Sequence, residues 1–366
     1  MTQNPPGTGI ELDLGPIPRY DTPMPGRIEI LGDPYNAETP AARLDGTDVA
    51  VGDFFVRSHF AVPAIDARSF RLTMGGGVDA PGTLDLAALE ALPRRTLRAT
   101  IECAGNGRTL LRPEVSGAPW RLGGTGTATF EGAALRDLLA GAGVRPETVE
   151  ILFTGADAGA VATGRSERFQ RSLPLSDALD PDTLLAWRMN GAPLAPEHGA
   201  PVRLVVPGWY GVASVKWLVG IEALTEPFHG WFQGESYVYR NGGGDLPVTR
   251  MRVRAAIARP SDGATVPPGP IEIFGCAWSG SGRIARVEVS LDAGGTWSDA
   301  TLAPPSSRWA ATPWSARGIA AGSELEVLAR ATDAAGNVQP EVAPWNRLGY
   351  GNNAIQRVRV AVRARG

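Results

Sequence analysis

Alternating apolar and polar positions predict strands along most of this chain, and the clearest alternation runs from residue 96 to residue 103. Leu97, Ala99, Ile101 and Cys103 have the same parity, so they lie on one face of the predicted strand. The strand runs directly into Ala-Gly-Asn-Gly, where two glycines relax the backbone and remove side-chain bulk. A thiol beside such a loop indicates a ligand site. A single cysteine in line with apolar residues is also typical of a core, so this pattern alone leaves both interpretations open.

The pattern changes near residue 250. Before it, strand-like segments alternate with amphipathic helical patterns over residues 83–92 and 132–141. After it, short strand-like segments follow one another between turn signals, a pattern typical of an immunoglobulin-like β-sandwich. These segments are residues 252–258, 271–278, 287–291 and 324–329.

This change predicts the organisation of the chain. We expect an α+β, mainly β protein with a first domain over residues 1–248 and an immunoglobulin-like domain over residues 249–366. An extended arm over residues 1–50 belongs to the first domain, and a glycine-rich linker at residues 242–247 marks the boundary. Cys276 falls in a strand of the sandwich, where we expect it to be core.

Two segments of the first domain carry cations among apolar residues. Arg57 and His59 share a parity in a strand-like segment, which favours an anionic partner on that side. The alternative is an exposed arginine next to a buried, hydrogen-bonded histidine. Lys216 is the one lysine of the chain and lies between Val215 and Trp217. A compact ammonium in such surroundings suits a phosphate or carbonyl oxygen.

Other strand patterns place further polar groups. Residues 150–157 read as a strand that ends in a loop presenting Asp157. The Val- and Leu-rich residues 202–206, bounded by prolines, predict a buried strand, which residues 209–218 continue.

Composition excludes several classes of protein. The formal net charge of -3 gives no reason to expect binding to nucleic acid or to a membrane surface, and no apolar run reaches membrane length. Two distant cysteines make no disulfide framework, and the three histidines lack the spacing of a zinc hydrolase. The first residues have neither a basic nor an apolar signal region, so we expect a cytoplasmic protein.

In combination the motifs are specific. The chain contains Phe-x-Arg-x-His at residues 55–59, Cys-Ala-Gly-Asn-Gly-Arg at 103–108, Met-Asn-Gly at 189–191, Glu-His-Gly-x-Pro-x-Arg at 197–203 and Ser-Val-Lys-Trp-Leu at 214–218. In this order they resemble the sulfite oxidase family of molybdenum enzymes, from about residue 50 to the C-terminus. The C-terminal immunoglobulin-like domain, which mediates dimerisation in that family, agrees with the resemblance and implies a homodimer.

The resemblance implies a molybdenum cofactor. Cys103 would be the protein's ligand to molybdenum, and a soft thiolate suits a transition metal. No nucleotide-binding glycine pattern is present, so molybdopterin without an attached nucleotide is expected. Asp157 would accept hydrogen bonds from the pterin, and His198, Arg203 and Lys216 would hold its phosphate. The full set of implied cofactor-binding residues is Phe55, Val56, Arg57, Ser58, His59, Asp157, His198, Arg203, Ser214, Val215 and Lys216.

The resemblance also implies an anion pocket beside the metal. Arg57 and Arg108 match two of the family's substrate-binding arginines, Tyr237 matches its tyrosine, and Trp120 matches an aromatic wall. Leu348 stands where vertebrate sulfite oxidases have a third arginine. The adjacent Arg347 need not point inward, so we expect a less cationic pocket.

The resemblance implies oxidation of sulfite to sulfate by oxygen-atom transfer. The electrons would pass to a separate acceptor, such as a c-type cytochrome or a small oxidant, because the chain contains no heme or flavin region of its own. One alternative is a reductase of nitrate, of another small oxyanion or of a sulfoxide on the same scaffold. A second alternative is a non-enzymatic, β-rich binding module, which would carry no metal.

Overall fold

The computed structural model describes residues 26–240 and 244–364. Strands dominate it, and its helices are short, which confirms the predicted α+β, mainly β class. The first half of the predicted arm, residues 1–25, and linker residues 242 and 243 lie outside the described residues. The α-helices are α1 (Leu86–Glu90), α2 (Leu135–Ala142) and α3 (Leu175–Ala178).

The first part of the chain contains two five-stranded sheets. Its strands are β1 (Ile28–Leu31), β2 (Asn36–Glu38), β3 (Leu72–Gly76), β4 (Gly82–Leu84), β5 (Arg94–Glu102), β6 (Thr125–Ala134), β7 (Glu150–Ala160), β8 (Ser166–Pro174), β9 (Leu184–Met189), β10 (Ala192–Pro193), β11 (Arg203–Val205), β12 (Leu218–Leu224), β13 (Val238–Arg240) and β14 (Asp245–Pro247). One sheet has the order β10-β9-β6-β5, with β11 also pairing with β9, and the other has the order β4-β3-β12-β7-β8. Strands β3 and β12 are parallel, whereas the other pairs are antiparallel.

The second part is a two-sheet sandwich, as predicted. Its strands are β15 (Arg254–Arg259), β16 (Thr265–Val266), β17 (Gly269–Trp278), β18 (Ile284–Ser290), β19 (Ser298–Asp299), β20 (Thr301–Leu302), β21 (Thr312–Ala320), β22 (Glu324–Asp333) and β23 (Gln356–Val362). The four-stranded sheet β15-β17-β21-β20 packs on the five-stranded sheet β16-β23-β22-β18-β19 through buried residues such as Ile273, Val289 and Val327. Cys276 is buried on β17, as expected of a core residue. The domain boundary after residue 248 stays a prediction.

The apolar face of β5 agrees with the alternation in the sequence. Leu97, Ala99, Ile101 and Cys103 are all at most 8% exposed and belong to one buried cluster. Cys103 is the first residue after this strand, and its N–H donates to the Gly124 carbonyl at 2.7 Å. The strand therefore fixes the cysteine from one side and the loop around Gly124 from the other.

Four local predictions are wrong. The segment around Arg57 is not a strand, because only Val56 forms a bridge, to Ala37. Asp157 lies inside β7 at a break in the register with β8, instead of in a following loop. Helix α1 is shorter than predicted, because β4 occupies its first residues and Asp85 caps it. Residues 209–218 do not continue β11, since a helical turn at Gly211–Ala213 intervenes.

A buried ion pair joins the two parts of the chain next to Cys103. Glu102 Oε1 lies 2.8 Å from Arg254 Nη1, and each side chain is 3% exposed. Trp278 Nε1 donates to Glu102 Oε2 at 2.9 Å, and Asn106 Nδ2 donates to Oε1 at 2.9 Å. Both carboxylate oxygens are thus occupied, one of them by side chains from both parts.

Replacing Glu102 with alanine should destabilise the protein strongly. The Arg254 guanidinium would remain buried without its counter-charge, which costs about 3–5 kcal/mol in proteins. We expect a loss of that size in the free energy of unfolding of the cofactor-free protein, measured by urea denaturation.

Glu341→Ala is the matched control. Glu341 also pairs with an arginine, at 2.7 Å from Arg357, but its side chain is 70% exposed. An exposed pair contributes about 0–1 kcal/mol. Equal losses for the two variants would contradict the role assigned to the buried pair.

Candidate functional site

A deep cleft opens at the carboxyl end of β5, with Cys103 in its wall. Its empty space, including the open mouth, is about 660 Å³. Ten of the residues singled out in the sequence line it: Phe55, Arg57, His59, Cys103, Asp157, His198, Arg203, Ser214, Lys216 and Tyr237. The fold therefore brings together residues that lie up to 182 positions apart (237 − 55 = 182).

Cys103 is a free, buried thiol, 5% exposed. Burial raises its pKa, and the positive charges of Arg57 and Arg108 act in the opposite direction. A thiol in this setting stays protonated until a bound cation or metal stabilises its thiolate. Within the described ranges no group of three or more His, Cys, Asp or Glu side chains could hold a metal ion.

Three cations line the cleft without forming an ion pair among the described residues: Arg57, Arg203 and Lys216. Arg203 donates to the carbonyls of His198 at 3.0 Å and Ser214 at 3.3 Å. Lys216 Nζ donates to the Glu197 carbonyl at 2.8 Å and to Ser58 Oγ at 3.2 Å, and lies 4.0 Å from the centre of the Trp217 ring system.

Burial and mutual repulsion make this cluster electrostatically unfavourable. Burial lowers the pKa of Arg203 to about 10, and burial and then Arg203 lower the pKa of Lys216 well below its usual value. The pKa of His198 falls to about 4, again mainly through burial. An anion in the cleft would relieve this cost, since it would supply the opposite charge that these groups lack.

Asp157 is an acidic side chain in the same cleft as these cations. It is 5% exposed, and its Oδ1 atom has no hydrogen-bond partner within residues 26–240 and 244–364. Burial raises its pKa to about 6, although Lys216 opposes the shift. Buried carboxylate oxygens in native proteins nearly always have a partner, so an unpaired one on a residue of the cleft wall indicates a ligand with N–H groups.

His59 and Tyr237 form the remaining polar contact of the cleft. His59 Nε2 lies 2.7 Å from Tyr237 Oη, and the imidazole packs against Phe60, Phe169 and Phe232. Burial and then Arg57 lower the pKa of His59 well below its usual value, so its ring is neutral at pH 7. Burial raises the pKa of Tyr237, which therefore keeps its proton.

Three other predicted residues lie directly behind the lining. Ser58 is buried and accepts the hydrogen bond from Lys216 described above. Val56 and Val215 are buried, and Val215 accepts a backbone hydrogen bond from Leu204 at 2.7 Å. Their position agrees with a supporting role through the backbone.

Arg108 and Trp120 do not belong to the described lining of the cleft. Arg108 donates to the carbonyls of Ala118 at 3.0 Å and Leu348 at 3.2 Å. Trp120 is fully buried, and its ring stands edge-on to Phe55. The Arg347 side chain is exposed, so it does not replace the arginine expected at Leu348.

Sequence reasoning missed eight lining residues: Phe54, Ile101, Ala104, Phe169, Glu197, Gly211, Val212 and Trp217. Four of them, Phe54, Ala104, Glu197 and Trp217, are immediate neighbours of residues that it did select. Phe169 carries no local signal, because only the pairing of β7 with β8 brings it to the cleft.

The residues of the cleft fit the cofactor that the motifs imply. Among the described residues, a soft thiol, a cluster of cations without ion pairs and an unpaired carboxylate oxygen match the needs of a metal, a phosphate and pterin N–H groups.

Comparisons with known proteins agree with a molybdenum cofactor in this cleft. The oxidoreductase molybdopterin binding domain model matches residues 59–232, and the Mo-co oxidoreductase dimerisation domain model matches residues 246–363. Sulfite oxidase of Gallus gallus is 39% identical over 355 residues, which are 88% of this chain and 75% of that protein. Mitochondrial sulfite oxidase of Homo sapiens is 38% identical over 90% of this chain and 64% of its own length, so the chain spans slightly less than two thirds of that relative.

A solved structure extends the similarity to the whole fold. The crystal structure of the sulfane dehydrogenase SoxCD from Paracoccus pantotrophus matches with a TM-score of 0.80 and 30% identity. The match covers 96% of this chain and 92% of that chain. In residues 26–240 and 244–364, none of the helices has the length and apolar character needed to cross a membrane.

Removing the charge of Asp157 should stabilise the cofactor-free protein at neutral pH. Its pKa is raised from 3.8 to about 6, so the folded state loses stability as pH rises from about 4 through 6. Each unit corresponds to about 1.4 kcal/mol, so Asp157→Asn should gain about 3 kcal/mol at pH 7 and nothing below pH 4. Denaturation at a series of pH values measures this difference.

Glu147→Gln serves as the control, since Glu147 is exposed. Its stability relative to the parent should change by less than about 0.5 kcal/mol over the same range. A pH-independent effect of Asp157→Asn would show that the carboxyl is not desolvated as the structure indicates.

Proposed function

Because this chain belongs to the sulfite oxidase family of molybdenum-cofactor oxidoreductases, we propose that it oxidises sulfite to sulfate and delivers the electrons to a separate acceptor. The observation that carries the proposal is the position of the Cys103 thiol in a cleft with three cations that form no ion pair with any described residue. In balanced form, sulfite and water give sulfate, two protons and two electrons.

The cofactor-binding residues follow from the chemistry of the cleft. Arg203, Lys216 and His198 would hold the phosphate, because they form the buried cluster that lacks an anion. Asp157 would accept from the pterin through its unpaired oxygen. Cys103 would coordinate molybdenum. The bound cofactor supplies a redox-active metal that can transfer an oxygen atom and take up two electrons.

Molybdopterin without an attached nucleotide remains the proposed form of the cofactor. The absence of a nucleotide-binding glycine pattern supports this choice. Glu197 lies in the cleft wall beside the cations proposed to hold the phosphate, and its own carboxylate pairs with Arg27 at 3.0 Å.

The substrate would bind at the end of the cleft where Arg57 and Tyr237 lie. Arg57 attracts the anion, and at about 4 Å a unit charge contributes at most about 4 kcal/mol before desolvation in a half-shielded site. Tyr237 donates a hydrogen bond, because its raised pKa keeps the proton on the phenol. In its Nε2–H tautomer, His59 donates to the phenol oxygen and leaves the phenol proton for the substrate. These residues position and neutralise the substrate, and none of them needs to change its protonation state.

Arg108 would act from behind this site. Its guanidinium is fixed by two backbone carbonyls, yet its positive charge lowers the pKa values of Cys103 and Tyr237 against the effect of burial. Trp120 would support the wall through Phe55.

The partners are proposed from the family. A match to a dimerisation domain over residues 246–363 supports a homodimer. The acceptor would be a c-type cytochrome or a small oxidant. The cytoplasmic location stays a prediction, since the human relative carries the word mitochondrial in its name.

Replacing Cys103 with serine should abolish turnover and leave the fold intact. A hydroxyl is a poor ligand for a metal that favours soft thiolates, so sulfite-dependent reduction of ferricyanide should fall by at least about a hundredfold. The assay uses protein produced in a host that makes the cofactor, with molybdenum content measured in parallel.

Cys276→Ser is the matched control, because Cys276 is the other free, buried cysteine and lies outside the cleft. This variant should keep its activity. Full activity of Cys103→Ser would refute the proposed site. Nitrate-dependent oxidation of a reduced dye, without sulfite turnover, would instead favour the reductase, and no bound molybdenum would favour a binding module.

Replacing Arg57 with methionine should weaken sulfite binding. Methionine keeps much of the volume but removes the charge, and hydrogen bonds to charged groups contribute about 1.5–3 kcal/mol. We expect KM for sulfite to rise by about 10- to 100-fold, with a smaller effect on kcat.

The exposed Arg317 provides the control, since Arg317→Met removes the same charge from the second part of the chain. Its KM should match that of the parent protein. An unchanged KM in Arg57→Met would mean that the anion binds elsewhere.

A further inference from the structure

A stack of three side chains connects the C-terminal segment of the chain to the cleft. The rings of Tyr237 and Tyr350 are stacked, with centroids 4.8 Å apart and planes 20° from parallel. The guanidinium carbon of Arg108 lies 5.1 Å from the centroid of the Tyr350 ring. Tyr350 therefore contacts Tyr237, which the proposed function places at the substrate, and Arg108, which it places behind the site.

Tyr350 is itself held firmly. Its N–H donates to Asn346 Oδ1 at 3.0 Å, and Asn346 Nδ2 donates back to the Tyr350 carbonyl at 2.7 Å. The glycines on either side, Gly349 and Gly351, have φ angles of 68° and 64°, which a side chain would strain. The Gly351 N–H donates to the Ala104 carbonyl at 2.8 Å, so the turn is attached directly to the loop of Cys103.

The stack adds a contact on the face of the Tyr237 ring to the hydrogen bond at its tip. The phenol oxygen of Tyr237 lies 2.7 Å from His59 Nε2, and this bond alone does not define the plane of the ring. Tyr350 covers the face of that ring and is 9% exposed. The two contacts together constrain both the phenol oxygen and the plane of the ring.

We propose that Tyr350 is a positioning residue, which the C-terminal segment supplies to fix Tyr237 at the substrate end of the cleft and Arg108 behind it. This inference rests on the proposed function, because it assumes that Tyr237 faces the substrate. Offset-stacked aromatic pairs and cations over an aromatic face are both favourable, and both need a flat ring at position 350.

The first test uses the hydrogen bond between His59 and Tyr237 as a reporter. The chain has three histidines, so the cofactor-free protein labelled with ¹⁵N-histidine gives a simple NMR spectrum. Tyr350→Leu keeps the burial but removes the ring, and should shift the His59 ring signals towards those of Tyr237→Phe. Tyr350→Phe keeps the ring and should restore the parent spectrum. If Tyr350→Leu does not fold, Tyr350→Met tests the same point.

The matched control is Tyr239→Leu. Tyr239 also lies under an arginine, with Arg252 at 4.7 Å from its ring centroid, and it is also near the turn at Gly351. It lies outside the residues that line the cleft. This variant should leave the His59 signals in place, even where it lowers stability as much as Tyr350→Leu does.

The second test measures turnover with the molybdenum-loaded protein. A displacement of about 1 Å in a positioning group can cost a hundredfold in rate, so Tyr350→Leu should lower kcat for sulfite by about 10- to 100-fold. Its molybdenum content should equal that of the parent, and Tyr350→Phe should recover most of kcat.

The outcomes distinguish the positioning role of Tyr350 from the proposed oxidation of sulfite. His59 signals and kcat that stay unchanged in Tyr350→Leu would overturn the positioning role and leave a packing role only. Failure of the parent protein to oxidise sulfite would overturn the proposed function. In that case a shifted His59 signal in Tyr350→Leu would still support the action of Tyr350 on Tyr237, and an unshifted signal would refute it.

Discussion

The carboxylate of Glu102 is the point at which the two parts of the chain depend on one another. It is buried with Arg254, and the pair offsets its desolvation cost only because Trp278 and Asn106 complete the hydrogen bonds. Asn106 in turn accepts from the Gly124 N–H through its side chain, and the Gly124 carbonyl holds the Cys103 N–H. The geometry of the cysteine loop is therefore set from outside the sheet that carries it.

The buried charges that suit the cleft to a charged ligand also lower the stability of the cofactor-free protein. Arg57, Arg203 and Lys216 are enclosed together with neutral imidazoles, and Asp157 offers the cluster a carboxylate whose raised pKa reflects its own desolvation. Binding of a complementary ligand would offset this destabilisation, because a ligand that binds the folded state stabilises it. The cofactor would thus act as part of the structure, and the cost is confined to the residues that need it.

Two kinds of feature could be predicted from the sequence: the buried faces of strands and the residues with site chemistry. Parity placed Cys103 on the buried face of β5, and the uniqueness of Lys216 pointed to the cation cluster. The sequence did not predict that Asp157 lies inside β7, because the bulge there depends on pairing with β8. It also did not predict that Phe169 lines the cleft. Both depend on contacts between strands, which local patterns do not encode. Matching of motifs likewise identified Arg108 without showing which way its guanidinium points.

The direction of Arg108 changes how the missing arginine at Leu348 is understood. Leu348 contributes its carbonyl instead of a charged side chain, and that carbonyl fixes the Arg108 guanidinium. Arg108 then acts on the cleft through space, since its charge lowers the pKa values of both Cys103 and Tyr237 without reaching the lining. A charge held at a distance attracts an anion but does not bind it in one orientation. Orientation is therefore left to Arg57, Tyr237 and the aromatic ring behind them.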